Sequence, residues 1–205
     1  MIAIIDYGVG NLFSLRSSFA FLGIDSIVTD KEEEIERADR IILPGVGAFK
    51  DAAEKLKQTG MGDCLLKQVE KGKPVMGICL GMQLLFEKSY EYGEHKGLGL
   101  IEGSVIPMEG NIAPGLKIPH IGWNKLEFTE NKSPIFKYIN DGDYVYFVHS
   151  YYGDRCEKNT IAVTDYSVKM CAAVQNGNIF GCQFHPEKSG ETGLKILKAF
   201  AETEV

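Results

Sequence analysis

Cys79 stands between glycines, in the run Lys73-Pro74-Val75-Met76-Gly77-Ile78-Cys79-Leu80-Gly81-Met82-Gln83-Leu84-Leu85-Phe86. The run opens as a short apolar stretch after Gly72 and Pro74, which predicts a buried strand. It continues as Leu80, Leu84 and Leu85 around a polar Gln83, which predicts a helix. A side chain at the centre of Gly77-Ile78-Cys79-Leu80-Gly81 sits on a tight corner, and the glycines let backbone crowd close without a Cβ clash. At the N-terminus of the following helix, unpaired N–H groups and the positive end of the dipole favour thiolate over thiol. The Leu80 N–H is the natural donor to a developing oxyanion. Taken alone, a cysteine after a core strand is also what a small buried hydrophobe looks like. Only a base elsewhere in the chain decides between the two.

The chain has four histidines, His95, His120, His149 and His185. His185 follows the strand-like Ile179 to Phe184 and opens His185-Pro186-Glu187. In extended backbone, residues two apart project to the same side, so imidazole and carboxylate lean toward one site. Pro186 stiffens the segment and favours an extended His185. A cysteine, a histidine and an acid supply nucleophile, general base and orienter. His149, in Phe147-Val148-His149-Ser150-Tyr151, is the rival base; it lacks an acid two residues on.

The elements that must position these groups follow from the pattern of the whole chain. With 205 residues, 44% hydrophobic and 24% charged, one globular domain over 1–205 is expected. A net charge of −6 without a basic block argues against nucleic acid or an anionic membrane as partner. The five cysteines are odd in number, widely spaced and free of any CxxC pair, which argues against a disulfide framework or a zinc site and for a reducing cytoplasm. The start, Met1-Ile2-Ala3-Ile4-Ile5-Asp6, carries no basic region of a signal peptide, and no window is apolar enough to span a membrane.

Ile2 to Ile5, Ser26 to Val28, Arg40 to Leu43 and the run before Cys79 read as strands alternating with helices, which implies a parallel sheet with right-handed crossovers. Gly8-x-Gly10 after the first strand is not a dinucleotide fingerprint, because Phe13 occupies the place of the third glycine. Asp6, Tyr7 and Asn11 instead fall at a strand's carboxyl end, where open α/β sheets bind ligands, although Asn11 is also a plausible helix cap. Pro44-Gly45-Val46-Gly47 makes a second loop whose N–H groups can face a ligand. From Gly97 onward the character changes to short strands punctuated by Gly, Pro, Asn and Asp, predicting antiparallel pairs with a hairpin at Asn176-Gly177. A closing helix spans Gly190 to Glu202, with Leu194, Leu197, Phe200 and Ala201 as its apolar face. The fold expected is α/β: an open, mostly parallel central sheet flanked by helices, with antiparallel strands in the C-terminal half.

Gly77 to Gln83 together with Phe184-His185-Pro186-Glu187 resembles the class I, triad-type glutamine amidotransferases. Within that family, Asp6 to Leu12, Leu43 to Phe49, Ile121-Gly122-Trp123-Asn124, Val148 to Tyr152 and Pro186 to Ser189 are similar to the glutaminase subunits of imidazole glycerol phosphate synthases. The likeness runs from Ile2 to Phe200. It implies Cys79 as nucleophile on the carboxamide of glutamine, His185 as base and acid, and Glu187 as its orienter. It also implies oxyanion donors at Leu80 and at Val46 or Gly47, with a peptide flip in that loop before its donor points inward. Gln83, with backbone at Ser150 and Tyr151, would bind the substrate glutamine. The partner implied is a separate (β/α)8-barrel cyclase that receives the ammonia, with Asn11, Trp123 and Lys188 at its interface. No cofactor and no metal are implied. Trp123 also fits an ordinary core aromatic, and Lys188 a solvated charge. The alternatives are another triad glutaminase, a cysteine peptidase on a similar sheet, or a non-catalytic regulatory subunit.

Overall fold

The computed structural model describes residues 1–130 and 133–204. The first third alternates strand and helix as expected: β1 (Ile2–Ile5), α1 (Leu12–Phe21), β2 (Ser26–Thr29), α2 (Glu32–Arg37), β3 (Arg40–Leu43), α3 (Phe49–Gln58), α4 (Met61–Glu70) and β4 (Val75–Ile78). Gly60, in the left-handed region at φ 73°, separates α3 from α4. The helix after Cys79, α5 (Leu80–Leu84), lasts only five residues. Phe86 is fully buried and already opens a strand, β5 (Phe86–Ser89), paired in parallel with β7 (Ile101–Pro107). That demand cuts the helix short.

The remainder is strand-rich: β6 (His95–Lys96), β8 (His120–Lys125), β9 (Glu127–Phe128), β10 (Tyr144–His149), β11 (Tyr151–Asp154), β12 (Thr160–Asp165), β13 (Lys169–Asn176) and β14 (Ile179–Cys182), closed by α6 (Gly190–Ala201). The main sheet has eight strands in the order β2-β1-β3-β4-β14-β13-β12-β9. Its β2 to β14 portion is parallel, and from β14 outward the pairs are antiparallel. The hairpin at Asn176-Gly177 joins β13 to β14 as the sequence predicts, with Gly177 at φ 56°. What local pattern did not reveal is that β14 also pairs in parallel with β4. A β8–β10 ribbon and a four-stranded sheet, β11-β7-β5-β6, complete the architecture.

Both faces of the main sheet are buried, as a parallel sheet requires. Ala3, Ile5, Ile41, Leu43 and Val75 face a core completed by α2, α3 and α4. Ile2, Ile4, Ile42, Met76 and Phe180 alternate onto the other face, against α1 and α6. In α6 the buried side is Gly193, Ile196, Leu197, Ala199 and Phe200. The face expected from spacing was therefore rotated: Ile196 is fully buried, while Leu194 and Ala201 lie only half-buried. Among the described residues no helix is long and apolar enough to cross a membrane.

Phe180 anchors the α6 face, fully buried on β14 and edge-to-face with Phe200 at 5.9 Å. Phe180→Ala is expected to cost about 3–5 kcal/mol, read as a shift of the denaturant midpoint. A cost under about 1 kcal/mol would show that the sheet does not depend on this packing.

Candidate active site

Parallel pairing assembles the site. Gly77 stands opposite Gly181 and Ile78 opposite Cys182, and the Cys79 N–H donates to the Cys182 carbonyl at 2.7 Å. Strands β4 and β14 therefore end side by side and point the same way, so the segments after them meet at the carboxyl edge. The loop after β3 reaches the same edge, because Leu43 pairs with Gly77.

Cys79 occupies φ 54°, ψ −111°. Non-glycine residues rarely enter that region, and holding one there costs about 1–3 kcal/mol. Close backbone stacking enforces it. A Cβ on Gly77 would lie 2.6 Å from the Gly81 oxygen, and one on Gly45 would lie 2.6 Å from the Gly81 nitrogen. A Cβ on Gly81 would run into the Leu43 carbonyl. The elbow predicted from Gly-x-Cys-x-Gly is present, with the β3 loop packed directly on it.

The Cys79 thiol lies 3.9 Å from the Val148 carbonyl and 3.8 Å from Gln183 Nε2, and it acts on the charge of the neighbouring His185. His185 Nδ1–H donates to Glu187 Oε1 at 2.9 Å, which leaves Nε2 for the thiol. Both side chains are almost wholly buried, at 3% and 1% exposure. Burial by itself would lower the His185 pKa. Hydrogen bonds and charge attraction from Cys79 and Glu187 overcome it and raise the pKa to about 9. The second Glu187 oxygen, Oε2, is buried without a hydrogen-bond partner among the described residues.

The path by which Glu187 reaches His185 differs from the expected one. Strand β14 ends at Cys182, and Pro186–Lys188 form a short 3-10 turn. The turn, not strand alternation, swings the carboxylate back onto Nδ1. Ser189 Oγ fixes it by donating to the His185 carbonyl at 2.6 Å while accepting the Tyr146 N–H at 2.9 Å.

His149, the rival base, is occupied. Its Nδ1–H donates to the Tyr151 carbonyl at 2.8 Å, and its Nε2 faces His120 Nδ1 at 3.1 Å. Burial, the main cause, lowers its pKa to about 3, so it stays neutral and has no spare nitrogen for the thiol.

A cavity of about 540 Å³ opens over the thiol, a size suited to a small molecule. Val46, Gly47, Leu80, Gln83, Ser150, Tyr151 and Lys188 all border it with Cys79 and His185. Leu80 is the first residue of α5, so its N–H has no acceptor within the helix. Gly47 lies at φ 94°, in a loop whose entry is pinned by Tyr7 O–H donating to the Pro44 carbonyl at 2.8 Å. The Gln83 amide nitrogen donates to the Tyr151 carbonyl at 3.1 Å and to Gln183 Oε1 at 3.0 Å, tying elbow helix to cavity wall.

Asn11 precedes α1 but makes no side-chain cap bond. Its Nδ2–H donates instead to Glu187 Oε1 at 3.4 Å. Trp123 is no core residue: it is 51% exposed, edge-to-face with Tyr146 at 5.9 Å. Lys188 is exposed at the cavity rim. Sequence reasoning missed Gln183, the buried amide beside the sulfur, and the Asn11–Glu187 contact. A polar residue in the apolar run Ile179 to Phe184 was a usable signal for the first. Nothing local signals the second, whose partners are 176 positions apart. Among the described residues no cluster could hold a metal ion.

The family model described as glutamine amidotransferase class-I matches residues 3–203. The imidazole glycerol phosphate synthase subunit HisH of Caldanaerobacter subterraneus is 52% identical, over 98% of this chain and 98% of its own. The protein of the same name from Lactococcus lactis is 50% identical over the same shares. Among solved structures, one described as a glutamine amidotransferase superposes with a TM-score of 0.75 at 20% identity, over 98% of this chain and 99% of that one. PurLQS from Thermotoga maritima gives 0.72 at 21% identity, over 97% and 96%. At that identity the structural likeness speaks for the fold alone.

The raised His185 pKa makes stability depend on pH. The unfolded imidazole releases its proton near about pH 6.5, the folded one near about pH 9. The group's contribution is therefore complete below about pH 6.5 and is lost as pH rises through about pH 9. Urea midpoints measured across that window should fall with rising pH in the wild type and more shallowly in Glu187→Gln. Equal slopes in both proteins would mean that Glu187 does not hold the proton on His185.

Proposed function

The chain belongs to the class-I glutamine amidotransferases, and we propose that residues 1–205 form one domain, the glutaminase subunit of an imidazole glycerol phosphate synthase. The observation that carries this reading is a buried His185 held between Glu187 and the Cys79 thiol beneath an open cavity. Relatives at about half identity across nearly their full length bear the name of that synthase subunit.

Cys79 Sγ attacks the carboxamide carbon of glutamine, its proton held by His185 Nε2. Glu187 holds the ring in the required tautomer and stabilises the imidazolium. The oxyanion that forms is met by Leu80 N–H and by a donor of the Val46–Gly47 loop, where positive φ at Gly47 leaves room for a peptide to turn inward. The C–N bond breaks, His185 returns the proton to the leaving nitrogen, and ammonia departs from a Cys79 thioester. Water, deprotonated by His185, then hydrolyses the thioester to glutamate and restores the thiol. Gln83 and the Ser150 and Tyr151 backbone hold the substrate glutamine. No metal or cofactor takes part.

Ammonia passes to a (β/α)8-barrel cyclase, which combines it with a phosphoribulosyl-formimino carboxamide ribonucleotide. The products are imidazole glycerol phosphate and an aminoimidazole carboxamide ribotide. Asn11, Trp123 and Lys188 form the docking face. Asn11 contacts Glu187 directly and Trp123 packs on Tyr146, whose backbone binds His185 and Ser189, so docking bears on the triad itself. Free thiols throughout and no membrane-crossing helix among the described residues fit action in the cytoplasm.

Glutamine hydrolysis should be slow for the subunit alone and rise strongly with the cyclase and its nucleotide ligand. Equal turnover in every condition would reject partner control. Cys79→Ala should lower glutamine-dependent synthesis by about 10³-fold or more while ammonia-dependent synthesis persists. Loss of both would assign the cysteine a structural role.

A further inference from the structure

Away from the catalytic cavity, two more thiols meet. Cys156 follows β11 and Cys171 lies in β13, and both are buried, at 4% and 6% exposure. The Thr160 hydroxyl, which donates to the Cys156 carbonyl at 2.9 Å, stands 3.5 Å from one sulfur and 3.4 Å from the other. Both sulfurs therefore stand against one hydroxyl. A second cavity, of about 400 Å³, is lined by Cys156, Thr160 and Cys171 and shares no residue with the catalytic one. The remaining cysteines have no such arrangement: Cys64 and Cys182 border neither cavity, and Cys79 borders only the catalytic one.

The contact makes the two sulfurs unlike. Hydrogen bonding from Cys171 lowers the Cys156 pKa against the opposing effect of burial. The same contact, with burial added, drives Cys171 well up. Cys156 is thus the nucleophile of the pair and Cys171 the thiol that keeps its proton until a second step.

We propose that Cys156 and Cys171 form a redox-active dithiol site, open to small-molecule disulfides of the glutathione class, that closes a reversible Cys156–Cys171 disulfide. The Cys156 thiolate attacks one sulfur of the incoming disulfide, forming a mixed disulfide and expelling one thiolate. Cys171 then loses its proton and attacks Cys156 Sγ, forming the internal bond and expelling the second thiolate. Two protein thiols are oxidised, and one small disulfide is reduced to two thiols. An excess of the reduced small thiol runs the exchange backward, so the site follows the ambient thiol–disulfide ratio.

The test is a peptide map of the wild-type protein after incubation with oxidised glutathione, with free thiols alkylated and no reductant in the digest. Trypsin cuts after Arg155, Lys158 and Lys169, so the two cysteines leave on separate peptides unless bonded. The expected result is a linked pair, assigned by fragmentation to Cys156 and Cys171 and released by dithiothreitol. Cys171→Ser should stop at a glutathione adduct on Cys156, and Cys156→Ser should give neither link nor adduct there. Full alkylation of both cysteines in oxidised wild-type protein overturns the proposal. So does a folded Cys171→Ser protein that gathers no adduct at Cys156. Should a serine variant fail to fold, the wild-type map decides alone.

Discussion

The structure depends on one constraint: β3, β4 and α5 approach so closely at Gly45, Gly77 and Gly81 that no side chain fits between them. Backbone therefore rests on backbone, and Cys79 is forced into a conformation its own side chain disfavours. Strain of that size persists only where the surroundings over-determine it. Here they do, because β4 is hydrogen-bonded on both edges, to β3 and to β14. The sheet centre supplies the rigidity, and the elbow uses it to hold a thiol at the carboxyl edge. The same close packing brings the Pro44–Gly47 loop over that thiol, because the loop begins where Leu43 meets the elbow.

Charge completes what backbone begins. His149 and His185 are both buried and both near the cavity, yet their surroundings move their pKa values in opposite directions. A carbonyl and a second imidazole hold His149, and the carbonyl's support for a positive charge does not offset burial. A carboxylate and a thiol surround His185, and both favour its charged form. The proton accordingly belongs on His185. Partner identity, not burial, separates the reactive histidine from the structural one.

The β8–β10 ribbon connects this chemistry to the outside. Its His120 and His149 stand opposite one another and buried, while Ile121 and Trp123, on β8, are exposed to solvent. Its Tyr146 accepts the His185 N–H and donates to Ser189 Oγ, while its ring supports Trp123. An element that binds the histidine's backbone on one side and exposes a tryptophan on the other is a short physical link between surface and site. The Asn11–Glu187 contact is a second, from a different element.

Much of this was legible along the chain. Gly77 to Gly81 announced the elbow, the alternation up to Ile78 announced parallel strands, and His185-Pro186-Glu187 announced a base with its acid, because each signal lies within a few residues. The apolar face of α6 was misplaced, since half-burial of Leu194 and full burial of Ile196 depend on what the helix packs against. The route of Glu187 to His185 was misread for a related reason: a proline-led turn and an extended strand give the same spacing in sequence. Asn11 read equally as a functional-edge residue and as a cap, because its hydrogen-bond partner is far away in the chain.

The sequence by itself determined which residue types could do chemistry and which local turns would present them. Only the tertiary structure decided that they meet. Inserting β14 beside β4, in parallel and in register, is a non-local pairing across about a hundred residues, and no propensity or period along the chain encodes it. That pairing sets Cys79 next to the segment bearing His185.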